Sequence, residues 1–505
     1  MYFLGIDVNT YRVEAAVLDS KSGKVQSVSE AFIPLSGRVK QKQIQPRHVW
    51  EKVREVTGKL LREHRLRGDD IVALSVTSTQ DVWVPVGSKM EPLYPLVNIQ
   101  LNPFEPQDVQ TPGGLTSEEL FKKNGRGDLI LNGAHNLIWF QRNEPDLFQR
   151  TYKWLNIADF IKARMTGEAV VDAAAASRYG VLDVKRRSWS PELISGYGIN
   201  SELLPEIVSP SEIQGRLTRR AAMELGLKEG TPVVTGSSGP ACAVLACCLE
   251  RCSCLNLISE NELILTRLSE EEAFKVNPAD GYTLEPHISG SDYLCIGMLP
   301  FSIPAILWVV ENFFPHLAER PLPEIYASLQ VKLELVPPTS NGVYFLPHII
   351  GSGTPKADYK SRGTIIGLRP EHSKWHVFRA VLEGVAYELR QNMQVIAKAT
   401  GREFAEVAAF GWGAENRVAL QIKADVTGVP FSAGSVLGGP ACGAAHLTAR
   451  AMGYTETRDL YCSVYSRTRA LFHPDKQRQN QYNLAYTRIY TDLYRVLQST
   501  FAKLA

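Results

Sequence analysis

The 505 residues are too many for one hydrophobic core, so two or more domains are expected. Hydrophobic residues supply 44% and charged residues 21%, an ordinary globular balance. A net charge of +2 points to neither nucleic acid nor a membrane surface as a partner.

Residues 2–6 read as a buried strand, 7–12 as a turn and 13–18 as the return strand. The opening MYFLGID meets an acid at Asp7 after a short apolar run and has no basic start, unlike a signal peptide. A second turn over 20–23 leads to a third strand over 25–33. Across 49–64 the residues Trp50, Val53, Val56, Leu60 and Leu61 recur at helical spacing, and 71–76 is again a strand. An antiparallel meander giving way to alternating helices and strands predicts an α/β layered domain. Residues 132–167 read as helix in two pieces, closed by Gly167.

The stretch TPVVTGSSGPACAVLACC, 231–248, organises the middle of the chain. A short strand runs into a Gly-Ser-Ser-Gly turn, and a small-residue helix follows over 241–248. Gly236 and Gly239 lack Cβ, so a ligand or another strand can approach the backbone there. Free amides at the following helix start suit an anion. A tight turn with close packing explains the same residues without a ligand. The hairpin turn Asp7-Val8-Asn9-Thr10-Tyr11 is equally open. It is either a plain polar turn, which Asn favours, or a carboxylate and hydroxyl placed for hydrated Mg²⁺ and phosphate.

The pattern then restarts, with strands expected over 255–265, 273–282 and 293–298, suggesting a second domain built like the first. Residues 294–310 are uncharged, but Pro300, Ser302 and Pro304 interrupt them. A membrane span needs about 20 mostly apolar residues, so a buried strand and helix are expected there, in a cytoplasmic protein. A long helix over 377–397 precedes the strand 407–410, the glycine turn Gly411-Trp412-Gly413 and a helix over 417–426. Residues 441–452 form an Ala-rich helix. In the tail, 477–497, Tyr482, Ala485, Tyr486, Ile489, Leu493 and Leu497 fall on one helical face. Five of the eight cysteines lie between Cys242 and Cys254 without a C-x-x-C pair or nearby histidine. That spacing fits buried reduced thiols better than a metal site; a redox or metal role for the cluster is the weakest of the functional readings.

Taken together, GIDVNTYRVEAAVLD, IWFQRNEPDLF, ADFIKARMTGE, LKEGTPVVTGSSG, FLPHIIGSGTP, FRAVLEGVAYELR, FGWGAENRVALQIKADVTGVP and GPACGAAHLTARAMG, in this order, resemble the FGGY family of carbohydrate kinases, closest to xylulose and autoinducer kinases. The resemblance implies two actin-like (ribonuclease H-like) α/β domains around a central cleft. A sugar-binding domain would span 1–242 and a nucleotide-binding domain 243–505. It implies ATP and Mg²⁺ as cofactors, with Asp7 at the metal and Asp7, Thr10, Gly236, Gly411, Gly413 and Asn416 at the nucleotide. A small sugar or polyol would meet Gln80, Asp81, Asn98 and Gln100.

Several cleft positions depart from the family pattern. The family's general-base Asp falls on Gly239, which has no proton acceptor; Asp81 is the candidate substitute base. Tyr11 replaces a small hydroxyl residue, and Glu260 stands where the family turn carries none. Two readings follow: an ATP-dependent kinase with a rearranged site, or a pseudokinase that binds a ligand as a sensor or regulatory partner. Nothing in the sequence sets the oligomeric state, and a homodimer is an open option.

Overall fold

The computed structural model describes residues 1–9, 12–31, 44–79, 81–98, 111–126, 132–248, 254–258, 261–288, 290–320, 322–434 and 439–504. The chain divides into two compact units. The first comprises Met1–Cys248, Thr283–Leu294 and Gly438–Arg467; the second comprises Leu249–Tyr282, Cys295–Leu437 and Thr468–Ala505. These are not two contiguous halves, and a cut at 242/243 falls inside the helix Gly239–Ala246.

The first unit is built on a six-stranded sheet. β1 (Tyr2–Val8), β2 (Arg12–Asp19) and β3 (Val25–Ala31) form the expected antiparallel meander. β4 (Ile71–Thr77), β5 (Ile213–Arg216) and β6 (Pro232–Val234) complete the order β5-β6-β4-β1-β2-β3. β1 and β6 both pair with β4 in parallel, so three strands end on the same edge. β1 and β4 are apolar on both faces, as doubly covered parallel strands are. α1 (Pro46–Glu63) buries Val49, Trp50, Val53, Val56, Leu60 and Leu61 in a core shared with Leu4, Ile6, Leu74, Val76 and Val233. α2 (Ile157–Thr166) adds Phe160, Ile161 and Met165 to that core and ends at Gly167 in the left-handed region. α3 (Gly239–Ala246) follows the central turn.

In the second unit, β7 (Cys254–Ile258), β8 (Glu262–Leu268), β9 (Tyr293–Leu299), β10 (Val407–Phe410), β11 (Phe431–Ala433) and β12 (Ala470–Phe472) line up in the order β9-β8-β7-β10-β11-β12. Its strands repeat the plan of the first unit: β7 pairs antiparallel with β8 and parallel with β10. α4 (Lys374–Thr400) presents Phe378, Val381, Leu382, Val385 and Leu389 to the core, and α5 (Arg417–Thr427) follows the glycine turn. Beneath it Lys423 Nζ donates to Asn256 Oδ1 at 3.0 Å and Glu262 Oε1 at 2.6 Å, and Ser302 Oγ donates to Glu262 Oε2 at 2.6 Å.

α6 (Gly439–Ala451) and α7 (Thr457–Thr468) close the first unit. α6 lies against β1 and α3, and the approach needs glycine on each side. A Cβ on Gly5 would stand 1.9 Å from Ala441 O, and one on Gly443 would stand 1.8 Å from Cys242 O. Small residues let two helices and a strand touch at backbone distance here.

Four expectations change. Residues 273–282 form the end of a short helix (Glu270–Ala273) and a 3-10 turn, and the strand falls at Thr283–Pro286. The segment 132–167 contains a strand, Lys153–Asn156, between its helices, because Trp154 and Leu155 pair with Pro85 and Val84. In the tail, a π turn over Tyr486–Tyr490 adds a residue to the repeat, so Tyr490 rather than Ile489 is buried. Cys248 is not a free thiol: it is bonded to Cys462 in α7, with 5.5 Å between the Cα atoms. Cys242, Cys247 and Cys254 are buried thiols that take no part in that bond. No described helix is long and apolar enough to cross a membrane.

Candidate functional site

The three strand ends on one edge of the first sheet bring three loops together. Parallel α/β sheets place ligands outside the carboxyl ends of their strands. After β1, Asn9 Nδ2 donates to Asp7 Oδ2 at 3.0 Å, and Thr79 Oγ1, just beyond β4, donates to Asn9 Oδ1 at 2.9 Å. After β6, Gly236 takes φ +70°, and a Cβ there would stand 2.2 Å from Ser75 Oγ. Thr77 Oγ1 donates to Ser237 O at 2.7 Å, and Gly239 N donates to Ser78 O at 2.8 Å. The β1, β4 and β6 loops are therefore one hydrogen-bonded set.

Gly239 is glycine for a steric reason. A Cβ there would lie 2.5 Å from Thr79 Cγ2, 2.7 Å from Thr79 N and 2.8 Å from Ser78 C. No side chain, acidic or otherwise, fits without moving the backbone after β4. The neighbouring Ser238 caps α3 and carries the turn's hydroxyl: Oγ accepts from Ala241 N and donates to Glu285 Oε2 at 2.6 Å. Ser237 Oγ donates to Asp172 Oδ2 at 2.6 Å. Burial lifts the Asp172 carboxyl to about 6, against the opposing pull of the Ser237 hydroxyl and the Ala175 and Ala174 amides.

Arg178 joins these groups. Its Nε donates to Glu285 Oε1 at 3.2 Å, its Nη2 donates to Thr79 O at 2.9 Å, and its Nη1 lies 3.3 Å from Asp81 Oδ1. Arg126 Nη2 takes the other oxygen, Asp81 Oδ2, at 3.1 Å. Burial opposes the Arg178 charge, but Asp81 and Glu285 outweigh it, so its proton is held more tightly than in water. Burial, and then the Arg126 charge, push His135 down to about 4, which leaves its ring neutral at pH 7. Asp81 thus stands between two guanidiniums, with an oxygen on each.

Of the residues read from sequence, Asp7, Gly236 and Gly239 lie in the loop set, and Asp81 reaches it through Arg178. Asn98 follows Val97, whose backbone pairs with Trp83. Thr10, Gln80 and Gln100, with Tyr11 and Glu260, lie outside the described residues. Arg126, Arg178, Glu285 and Asp172 escaped the reading. Glu285 carried a signal: a lone acid in the apolar run Tyr282-Thr-Leu-Glu-Pro286.

In the second unit Gly411 takes φ +88°, and a Cβ there would stand 2.2 Å from Ile258 O. A Cβ on Gly413 would meet Ile258 Cγ2 at 2.2 Å. Both glycines let the turn press on the end of β7. Asn416 caps α5, with Oδ1 accepting from Ala419 N at 3.0 Å. Its buried Nδ2 has no partner among the described residues, so a donor is available at this turn. Asp7 is a single buried carboxylate at a strand end, the kind of donor that holds Mg²⁺ together with water and phosphate oxygens.

Two family profiles match the chain: the FGGY family of carbohydrate kinases, N-terminal domain, over residues 2–246, and its C-terminal domain over 284–452. The chain belongs to the FGGY family of carbohydrate kinases. It is similar to the xylulose kinase of Bacillus subtilis, 26% identical over 508 residues and 99% of both chains. It is also similar to the L-fuculokinase of Escherichia coli K12, 25% identical over 63% of this chain and 64% of that one. Its fold is that of a ligand-bound xylulose kinase from Lactobacillus acidophilus (TM-score 0.83, 22% identity, 100% of both chains). A gluconate kinase from the same organism shares it (TM-score 0.82, 22% identity, 100% of this chain and 99% of that one). The architecture is the two-domain, actin-like α/β fold of FGGY sugar kinases.

Proposed function

We propose that this protein transfers the γ-phosphoryl group of ATP to a hydroxyl of a small sugar or polyol, with a ketopentose such as xylulose the first candidate. The observation that carries the reading is the convergence of the β1, β4 and β6 loops, through Asn9, Thr79, Ser237 and Gly239, in a chain of this family. The first unit would hold the sugar beside Asp81, Arg126 and Arg178. The Gly411–Asn416 turn of the second would hold the nucleotide, with the Asn416 amide as a donor. Asp7 would hold Mg²⁺ through water. When bound, the metal neutralises phosphate charge, and the chain's own part is to position groups and exclude water. ATP as co-substrate would fit a cytoplasmic protein.

A second reading, ligand binding without transfer, is favoured by the absence of any acid at Gly239. ADP release from MgATP across ketopentoses, aldohexoses, polyols and gluconate separates the two. Turnover with one class of sugar supports the kinase. Sugar binding seen by calorimetry with no ADP release from any of them supports the sensor.

A further inference from the structure

We infer that the protein supplies the missing base as a two-residue relay, with the hydroxyl of Ser238 facing the substrate and the carboxylate of Glu285 behind it. This rests on the kinase reading above. The steric position of Gly239 rules out an acid on that residue, but its neighbour delivers one at one remove. Ser238 Oγ stands 2.6 Å from Glu285 Oε2, inside the range of a strong O–H···O⁻ bond. A serine hydroxyl has one donor and two acceptor lone pairs. The donor points to Glu285 and one lone pair takes the Ala241 amide; among the described residues no other group takes the second lone pair, which would accept from a sugar hydroxyl. Glu285 is fully buried, and Arg178 Nε on its other oxygen holds it in place. The same Arg178 reaches Asp81 and Thr79, so the relay is joined to the loop set that carries Asn9 and Asp7.

The alternatives in the same set are occupied. Asp81 has a guanidinium on each oxygen. Asp172 caps a helix, accepting from the Ala174 and Ala175 amides as well as from Ser237.

As the sugar oxygen bonds to the γ-phosphorus, the bond from that phosphorus to the β–γ bridging oxygen breaks, and ADP leaves with the electron pair. The sugar hydroxyl's proton passes to Ser238 Oγ, and the proton already on Ser238 passes to Glu285 Oε2. Glu285 later returns it to water. Ser238 touches the reacting hydroxyl; Glu285 acts through it.

The test uses the full chain with MgATP and the sugar that gives most turnover. Ser238→Ala and Glu285→Gln are each expected to lower kcat by about 10²-fold, the usual worth of a positioned base. Sugar Kd by calorimetry should move less than about threefold, because an interaction made only in the transition state is lost. The double variant Ser238→Asp/Glu285→Gln, which puts a carboxylate directly on the turn, should recover at least tenfold over Glu285→Gln alone. If wild type turns over sugar and both single variants keep kcat within about threefold, the relay is wrong and the kinase reading stands. If wild type binds sugar but releases no ADP with any of them, both fall. Should Glu285→Gln fail to fold, Ser238→Ala decides alone, by the fall in kcat against the unchanged sugar Kd.

Discussion

Ser238 donates its hydroxyl proton to Glu285 across 2.6 Å, although 47 positions separate them in the chain. The contact ties the turn after β6 to the strand Thr283–Pro286, and Arg178 continues it to Asp81 and Thr79.

Gly239→Asp should not restore a family-like base. Its Cβ would enter the backbone of Ser78 and Thr79. Overpacking of this kind costs ~1–3 kcal/mol. Denaturant midpoints should fall for Gly239→Ala and Gly239→Asp alike, and turnover should not rise in either. An Asp variant as stable as wild type and faster would show that the loop yields and that the site accepts a direct base.

Arg178→Met should be among the most damaging single changes. It leaves Glu285, fully buried, as an uncompensated charge and frees Thr79 O. Breaking a buried pair from one side costs about 3–5 kcal/mol, whereas replacing both partners with apolar groups is often neutral. Arg178→Met/Glu285→Leu should therefore be more stable than Arg178→Met alone. Additive losses in that double-mutant cycle would deny the coupling.

Asp172 gives the fold a pH dependence. Its folded value, about 6, lies above the ordinary carboxyl value of 3.8, so the folded state prefers the protonated form. That stabilisation is complete below about pH 4 and is lost as pH rises through 6, a change of roughly 3 kcal/mol at 1.36 kcal/mol per unit. Thermal unfolding of wild type and Asp172→Asn at pH 4, 5, 6 and 7 measures it. The difference between the two should shift in favour of Asp172→Asn as pH rises, then level off above 6. A difference that stays flat across this range would mean that the carboxyl titrates as in water.

Gly5→Ala and Gly443→Ala should each destabilise the first unit by ~1–3 kcal/mol or more, since the added methyl meets backbone at 1.9 and 1.8 Å. Gly453→Ala is a control without the clash: no described residue lies within 4 Å of its Cβ, although its φ of +86° adds strain of its own. Midpoints that drop no further at Gly5 and Gly443 than at Gly453 would contradict the close packing of α6.

Much of the fold was legible in short-range pattern. The opening meander, α1 and α4 followed from periodicity, because their buried faces repeat at regular spacing. The strand Lys153–Asn156 was missed because its partner, Trp83–Val86, lies far off in sequence. The burial of Tyr490 was missed because a π turn breaks the helical period. At the site, glycines and the strand-end Asp7 announced themselves through turn chemistry. Arg178 and Glu285 did not, because a buried ion pair leaves no local spacing in the sequence: it forms between residues 107 positions apart. Gly239 was legible as a missing side chain, but the steric cause depends on where Ser78 and Thr79 come to rest.

The most direct test of the central claim is mass spectrometry of the sugar product after incubation with MgATP, beginning with xylulose and run beside an ADP assay. Phosphoryl transfer gives a sugar heavier by one phosphoryl group, formed one for one with ADP. ADP formed without a phosphorylated sugar, or neither product with any sugar that the protein binds, would contradict it.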